Sequence, residues 1–187
     1  MQITATGPNG TTYHKRTAMV DVQPLGPPVA DFTADTTTFC AGTAVNFTDL
    51  SANGPSSWEW SFPGGEPATS TVKNPSGIVY NTPGVYSVTL TATNAAGSNT
   101  LSKTDYITVN EVPATPAGED QEVCQDGIIP DLTVTGENVS WYSDPELTTL
   151  VNTGNTYATG LTEPGVYSFY VAAILGDCIS GSDTVTL

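Results

Sequence analysis

At 187 residues the chain is long enough for two small domains, each able to bury its own core. Lysine and arginine total 4 against 19 aspartates and glutamates, so the formal net charge is -15. Such a charge repels the phosphate backbone of nucleic acids and excludes them as expected partners. Charged residues make up only 12% of the chain, and its many threonines, serines and glycines favour short strands and turns over helices.

Membrane insertion is not expected, because no run approaches the roughly 20 apolar residues that a spanning helix needs. The first residues, Met1-Gln2-Ile3-Thr4, lack the basic start and apolar centre of a signal peptide. We therefore interpret the chain as a segment of a longer polypeptide.

Internal repetition is the strongest organising signal. ITATGPNGTTYHKRTAMVDV at residues 3–22 aligns without a gap on LTATNAAGSNTLSKTDYITV at 90–109, an offset of 87. Both segments predict a strand, a turn and a strand, and a lone hairpin cannot bury its apolar face. We expect residues 1–24 to be the terminal hairpin of a preceding truncated repeat, of the same kind as the unit that ends at residue 109, with neighbouring repeats of the same polypeptide as partners.

Alternating apolar residues predict strands through the middle of the chain. The alternating positions are Val45, Phe47 and Asp49, then Trp58, Trp60 and Phe62, then Tyr86, Val88, Leu90 and Ala92, and finally Ile107 and Val109. Proline-rich segments at Pro24 to Pro28 and Val112 to Gly118 interrupt the pattern and mark domain boundaries with stiff connections.

An ordered set of motifs covers residues 28–110: PVADFTAD, VNFTDLS, SSWEWSFPGG and NPSGIVYNTPGVYSVTLTATNAAGS. This set resembles a polycystic kidney disease (PKD) domain. The aspartate of the family's W-x-F-G-D-G turn is replaced in SWEWSFPGG, which leaves the role of that aspartate unfilled here. The resemblance implies a complete PKD-like β-sandwich over residues 28–110.

Residues 117–187 contain Cys124, a Trp141-Tyr142 strand, Asn155-Thr156-Tyr157 and a late Cys178. This set resembles the immunoglobulin-like (Ig-like) modules that accompany PKD repeats in large secreted Bacteroidetes proteins, and it implies an Ig-like β-sandwich over residues 113–187. PGVYS at 164–168 repeats PGVYS at 83–87, an offset of 81. The resemblance implies an all-β chain of tandem immunoglobulin-like β-sandwiches, located outside the cell or on its surface. Proteins of this kind are exported by the type 9 secretion system and serve in adhesion, or they trail behind secreted hydrolases.

Aromatic residues have structural roles in this interpretation. Tyr86 and Tyr167 each follow a glycine by two residues and are expected to form the tyrosine corner of a sandwich. Trp58, Trp60 and Trp141 are expected in the cores, because a buried tryptophan on the third strand is typical of an immunoglobulin-like core. A sugar-stacking platform is the alternative for these tryptophans, and exposed indole rings would favour it.

The chain has three cysteines, which is too few for a disulfide-dense scaffold. By analogy with the resembled domains, Cys178 precedes the final strand of the second sandwich, and pairing with Cys124 would join that domain's first and last strands. The position equivalent to Cys178 in the first sandwich is Gly97. We therefore expect a Cys124–Cys178 disulfide and a free thiol at Cys40.

Catalysis is not expected, since His14 is the sole histidine and lies in the amino-terminal hairpin, outside any complete domain. No cofactor is expected. Calcium is weighed separately, because Asp31, Asp49, Glu119 and Asp120 lie near the predicted domain ends. No D-x-D-x-D-G loop accompanies them, and an ordinary acidic surface is the simpler interpretation.

These observations predict a non-catalytic repeat segment of a large secreted cell-surface protein, acting as an adhesive or spacer stalk. The alternative is a carbohydrate- or protein-binding accessory module of a secreted hydrolase. Surface glycans or surface proteins are the further partners that either interpretation allows.

Overall fold

The computed structural model describes residues 4–6, 12–14, 26–123, 127–163 and 165–187. Within these residues the secondary structure consists of strands, with no helix. The scarcity of helix that the composition predicts is therefore observed in the described part of the chain. No helix among the described residues is long and apolar enough to cross a membrane.

The amino-terminal residues include a short antiparallel strand pair, β1 (Thr4–Thr6) with β2 (Thr12–His14). The register places Thr4 opposite His14 and Thr6 opposite Thr12. The remaining residues before Gly26 lie outside the described part of the chain, so the origin of this pair in a preceding repeat stays a prediction.

The first domain contains ten strands. They are β3 (Phe32–Ala34), β4 (Thr38–Cys40), β5 (Ala44–Val45), β6 (Phe47–Asp49), β7 (Ser57–Ser61), β8 (Gly65–Glu66), β9 (Thr69–Ser70), β10 (Ile78–Tyr80), β11 (Gly84–Asn94) and β12 (Gly97–Asn110). One layer is a five-stranded sheet in the order β4-β12-β11-β7-β9. The other layer combines the sheet β5-β10-β8 with the pair β3-β6.

Period-two alternation explains the core between these layers, because successive side chains of a strand point to opposite faces. Along β11, Val88, Leu90 and Ala92 are buried while Thr89 and Thr91 are only half-buried. Trp60 packs against Phe32 from the opposite layer, with ring centroids 5.3 Å apart in an edge-on arrangement. The alternation predicted from the sequence is confirmed here.

The second domain contains eight strands among its described residues, 113–123, 127–163 and 165–187. They are β13 (Ala117–Gly118), β14 (Leu132–Thr135), β15 (Val139–Tyr142), β16 (Leu150–Thr153), β17 (Thr156–Tyr157), β18 (Ser168–Leu175), β19 (Cys178–Ile179) and β20 (Asp183–Thr186). One sheet has the order β16-β15-β18-β19, with β20 also paired to β18, and the other has the order β13-β14-β17. Leu132, Trp141, Val171 and Val185 are completely buried between them.

The first strand of the second domain also contacts the other sheet. The amide of Gly118 donates to the Asp183 carboxylate at 3.0 Å, and the amide of Gln121 donates to the Thr186 carbonyl at 2.8 Å. The chain therefore runs alongside β20, from its first residue toward its last. Residues 111–116, between β12 and β13, form the connection between the domains; the linker that the sequence predicts extends two residues further, into β13.

Candidate functional site

The cysteines form a disulfide that the sequence analysis does not predict. Cys40 of the first domain is bonded to Cys178 of the second, across a sequence separation of 138 residues and with their Cα atoms 5.7 Å apart. The predicted Cys124–Cys178 pairing and the free thiol at Cys40 are therefore wrong. Cys124 itself lies outside the described residues.

The path of the chain explains this correction. Cys178 pairs with Leu175 at the end of β18. Along β18 this end lies beyond Val171, whose partner Asp183 is the first residue of β20. The described residues up to Val123 run the other way, toward the Thr186 end of β20. Approaching Cys178 from that end would require the chain to reverse along the strand, whereas Cys40 comes to it from the neighbouring domain.

Cys40 lies at the exit of the first domain. In the parallel pairing of β4 with β12, Cys40 is opposite Asn110, the last residue of β12, and the Ala41 amide donates to the Asn110 carbonyl at 2.9 Å. The connecting residue Thr115 lies beside Gly181, because a Cβ atom built on Gly181 would be 3.0 Å from the Thr115 hydroxyl. Both cysteines therefore flank the interdomain connection.

Each domain contains the tyrosine corner that the PGVYS motif predicts. The Tyr86 hydroxyl donates to the Thr82 carbonyl at 2.7 Å, and the Tyr167 hydroxyl donates to the Glu163 carbonyl at 3.2 Å. In both cases the acceptor precedes the tyrosine by four residues. The corner holds the start of a long strand against the loop before it.

The tryptophans differ in exposure. Trp60 and Trp141 are buried, and each indole N–H donates to a backbone carbonyl. Trp58 is half-buried, and its indole nitrogen is buried without a hydrogen-bond partner. Core packing therefore holds for Trp60 and Trp141, and Trp58 is the one tryptophan that a sugar ring could reach in part.

A shallow groove runs along Trp58. It has a volume of about 360 Å³ and is lined by Ser57, Trp58, Glu59, Thr71, Thr91 and Thr93. The Lys73 ammonium lies 5.7 Å from the centre of the Trp58 ring and covers part of its face. Hydroxyl groups beside a partly open aromatic ring are the kind of surface that a neutral sugar can contact.

Three of the four acidic residues considered for calcium have carboxylates with separate partners of their own. The Asp31 carboxylate is paired with the Lys103 ammonium at 3.1 Å, and the Asp49 carboxylate accepts from the Ser51 amide at 3.0 Å. The Asp120 carboxylate accepts from the Thr186 amide at 2.8 Å, and Glu119 is exposed. Among the described residues no three carboxylates, cysteines or histidines are grouped to hold a metal ion.

Lys103 has a position that the sequence analysis missed. Its ammonium donates to the Phe32 carbonyl and lies 4.5 Å from the centre of the Phe32 ring and 5.2 Å from that of Tyr106. The hydrogen bond from Lys103 lowers the pKa of the Asp31 carboxyl below its usual value. The chain has only four lysines and arginines. The presence of one of them, Lys103, within the alternating pattern of a strand is the sequence signal that could have indicated a structural role.

Comparison with known proteins agrees with this geometry. Residues 26–109 match the family described as PKD domain, and residues 113–187 match the family described as Ig-like domain, CHU_C associated. The chain is a PKD domain followed by an Ig-like domain. Both are families of non-catalytic modules. The boundaries expected from the sequence, 28–110 and 113–187, differ from the matched ranges by at most two residues.

Solved structures provide three further likenesses. The PKD1 domain of Vibrio anguillarum Epp is 30% identical, with 45% of this chain and 96% of that chain covered and a TM-score of 0.37. A carbohydrate-binding module of the β-sandwich superfamily is 21% identical, with 80% and 55% covered and a TM-score of 0.41. The fibronectin(III)-like modules of Clostridium thermocellum CbhA are 16% identical, with 83% and 92% covered and a TM-score of 0.39. A search of curated proteins finds no match to this chain.

Proposed function

We propose that this PKD and Ig-like pair is a spacer segment in the stalk of a secreted cell-surface protein. The observation that carries the proposal is the junction: two non-catalytic sandwiches are connected by residues 111–116 and bridged a second time by Cys40–Cys178. Two covalent connections restrict the relative motion of neighbouring domains far more than one flexible linker does. A restricted pair is suited to holding another part of a protein at a distance.

An extracellular location is part of this proposal. Disulfides persist in oxidising environments and are rare in the cytosol of most organisms. The acidic composition also suits a soluble surface that repels its own copies. The sequence resemblance supports export through the type 9 system of Bacteroidetes, with neighbouring repeats as the partners of the segment. No metal ion has a role in this proposal.

Domain replacement tests the spacer role. In the full-length protein, residues 26–187 would be exchanged for two unrelated β-sandwich domains with a similar end-to-end distance, and a second variant would delete them. We expect the replacement to keep adhesion of whole cells to their substrate surface and the deletion to weaken it. Loss of adhesion in the replacement variant, at equal surface abundance, would contradict a spacer role.

The groove beside Trp58 supports a second candidate function, binding of a neutral polysaccharide in the manner of an accessory module. The isolated chain would be mixed with insoluble cellulose, chitin and xylan, and the unbound fraction measured. If this groove binds the polysaccharide, Trp58→Ala should abolish retention of the protein on it. The control is Tyr170→Ala, which removes a half-buried aromatic side chain of the second domain and should leave retention unchanged. Equal retention of all variants would exclude the groove as the binding surface.

A further inference from the structure

The disulfide changes which residues bear a mechanical force applied to the two ends of the chain. A bond between Cys40 and Cys178 places residues 41–177 in a closed loop. These residues include β5 to β18, the interdomain connection and most of both cores. A covalent shortcut of this kind is much shorter than the loop that it closes, so it bears the force in place of that loop.

We propose that Cys40–Cys178 is a tension bypass that passes force from one domain directly to the next. Force entering at the amino-terminal side follows residues 26–40, crosses the disulfide and leaves through residues 178–187. The segment between the two cysteines then bears no end-to-end tension and cannot be extended while the bond is closed. This property belongs to the chain itself and does not depend on the stalk role.

The segments that remain under tension are anchored in the two cores. In the first domain, Phe32 of β3 and Phe39 of β4 are 0% and 8% exposed, and β4 is paired in parallel with β12 over Thr38 to Cys40. In the second domain, Val185 of β20 is 0% exposed and β20 is paired with β18 over four residues. Pulling these strands out would expose apolar side chains to water, which is costly.

The bond is also protected in the folded protein. Cys178 is completely buried, and Cys40 is half-buried at the end of β4. Attack on a disulfide requires access of a thiolate to one of its sulfur atoms. The fold therefore shields the bypass from reductants in solution, and the bypass limits the unfolding that would expose it.

The bypass hides a large length. An extended chain spans at most about 3.3–3.6 Å per residue, so the separation of 138 residues corresponds to roughly 450–500 Å of chain that tension cannot reach. A bond between Cys124 and Cys178 would hide a much shorter loop, roughly 180–190 Å by the same rule. The two connectivities are therefore distinguishable by length.

Peptide mapping tests the connectivity first. Cleavage after glutamate under non-reducing conditions separates the three cysteines. The relevant sites are Glu59, Glu122, Glu137 and Glu146, and they place Cys40 in residues 1–59, Cys124 in 123–137 and Cys178 in 147–187. We expect a cross-linked species that contains 1–59 and 147–187 and disappears on reduction. A species linking 123–137 to 147–187 would overturn the proposal.

Single-molecule stretching of the whole chain between its ends tests the mechanical consequence. We expect Cys40→Ser to increase the total unfolded contour length by roughly 450–500 Å over the parent protein, and Cys124→Ser, the matched control, to leave it unchanged. Reduction of the parent protein after partial unfolding should produce the same increase, which covers the case in which Cys40→Ser folds poorly. A parent protein that already extends to full length, or an increase of only 180–190 Å in the control, would refute the bypass.

Discussion

Trp60 and Trp141 are held by the same kind of hydrogen bond in the two domains. The Trp60 indole donates to the Val72 carbonyl at 3.0 Å, twelve residues later, and the Trp141 indole donates to the Gly154 carbonyl at 2.7 Å, thirteen residues later. Each ring is buried in its core. The repeated arrangement connects a central strand to a loop on the side of the sandwich.

Replacing Trp60 by phenylalanine should destabilise the PKD domain by about 1–3 kcal/mol, because it leaves a void and removes the partner of a carbonyl. Trp58→Phe is the matched control, since Trp58 is half-buried and its indole nitrogen has no hydrogen-bond partner. Urea unfolding followed by circular dichroism measures both. Equal losses in the two variants would show that the hydrogen bond and full burial of Trp60 contribute nothing extra.

Two tyrosines of the PKD domain should respond oppositely to loss of their hydroxyl groups. Tyr86→Phe removes the bond to Thr82 and should cost about 0.5–1.5 kcal/mol. Tyr80→Phe removes a buried hydroxyl that has no partner, and should be neutral or stabilising. Thermal unfolding of the two variants beside the parent protein tests this, and a larger loss in Tyr80→Phe would contradict the assignment.

Stability at alkaline pH should depend on Tyr80. Burial raises the pKa of Tyr80 from 10.0 to about 12. Above pH 10 the unfolded chain releases the Tyr80 proton, while the folded protein retains it. The contribution of Tyr80 to folding stability is therefore complete below pH 10 and is lost as the pH rises toward about 12. Denaturation midpoints between pH 9 and 12 should fall less steeply in Tyr80→Phe than in Tyr86→Phe. Parallel curves would argue against the raised pKa.

The pKa of Asp31 should depend on Lys103. Since the hydrogen bond from Lys103 is the largest cause that lowers this pKa, Lys103→Met should raise it toward 3.8, the ordinary value for aspartate. The contribution of the Asp31 carboxylate to folding stability is present above that value and is lost as the pH falls through its lowered pKa. Carboxyl chemical shifts in an NMR titration report the change. Lys73→Met, which removes a cation next to Trp58 instead, should leave the Asp31 titration in place.

The glycine beside the PKD tyrosine corner should tolerate no side chain. Gly64 has a φ of 80°, and a Cβ atom there would overlap the Tyr86 ring. Gly42 has a similar φ of 85° but open space around it. Gly42→Ala should cost about 1 kcal/mol from the backbone alone, and Gly64→Ala should cost distinctly more. Equal unfolding free energies of the two variants would mean that Tyr86 moves away without penalty.

Local patterns predicted most of the fold. The alternation of Val45, Phe47 and Asp49 corresponds to buried positions on one face of two short strands, because the direction of side chains along a strand is set by covalent geometry. The PGVYS motif likewise predicted the positions of Tyr86 and Tyr167, since the corner needs only nearby backbone. Such features depend on residues within a few positions of one another.

The period-two pattern alone did not predict that Trp58 and Trp60 differ in solvent exposure. Both point to the same face of β7, yet Trp60 is 2% exposed and Trp58 is half-buried. Their neighbours on β11 are Ala92 and Leu90 respectively, and how much of each ring is covered depends on residues of the opposite layer. No pattern within β7 contains that information.

By itself the sequence determined the all-β architecture and predicted two tandem sandwiches, because strand alternation and turn residues act locally. The disulfide was decided by tertiary structure alone. Cys40 and Cys178 meet because residues 111–116 place the exit of the PKD domain beside one end of the Ig-like domain, while the described chain before Cys124 runs toward the other end. The pairing of residues 138 positions apart follows from the arrangement of whole domains, which no spacing of cysteines along the chain encodes.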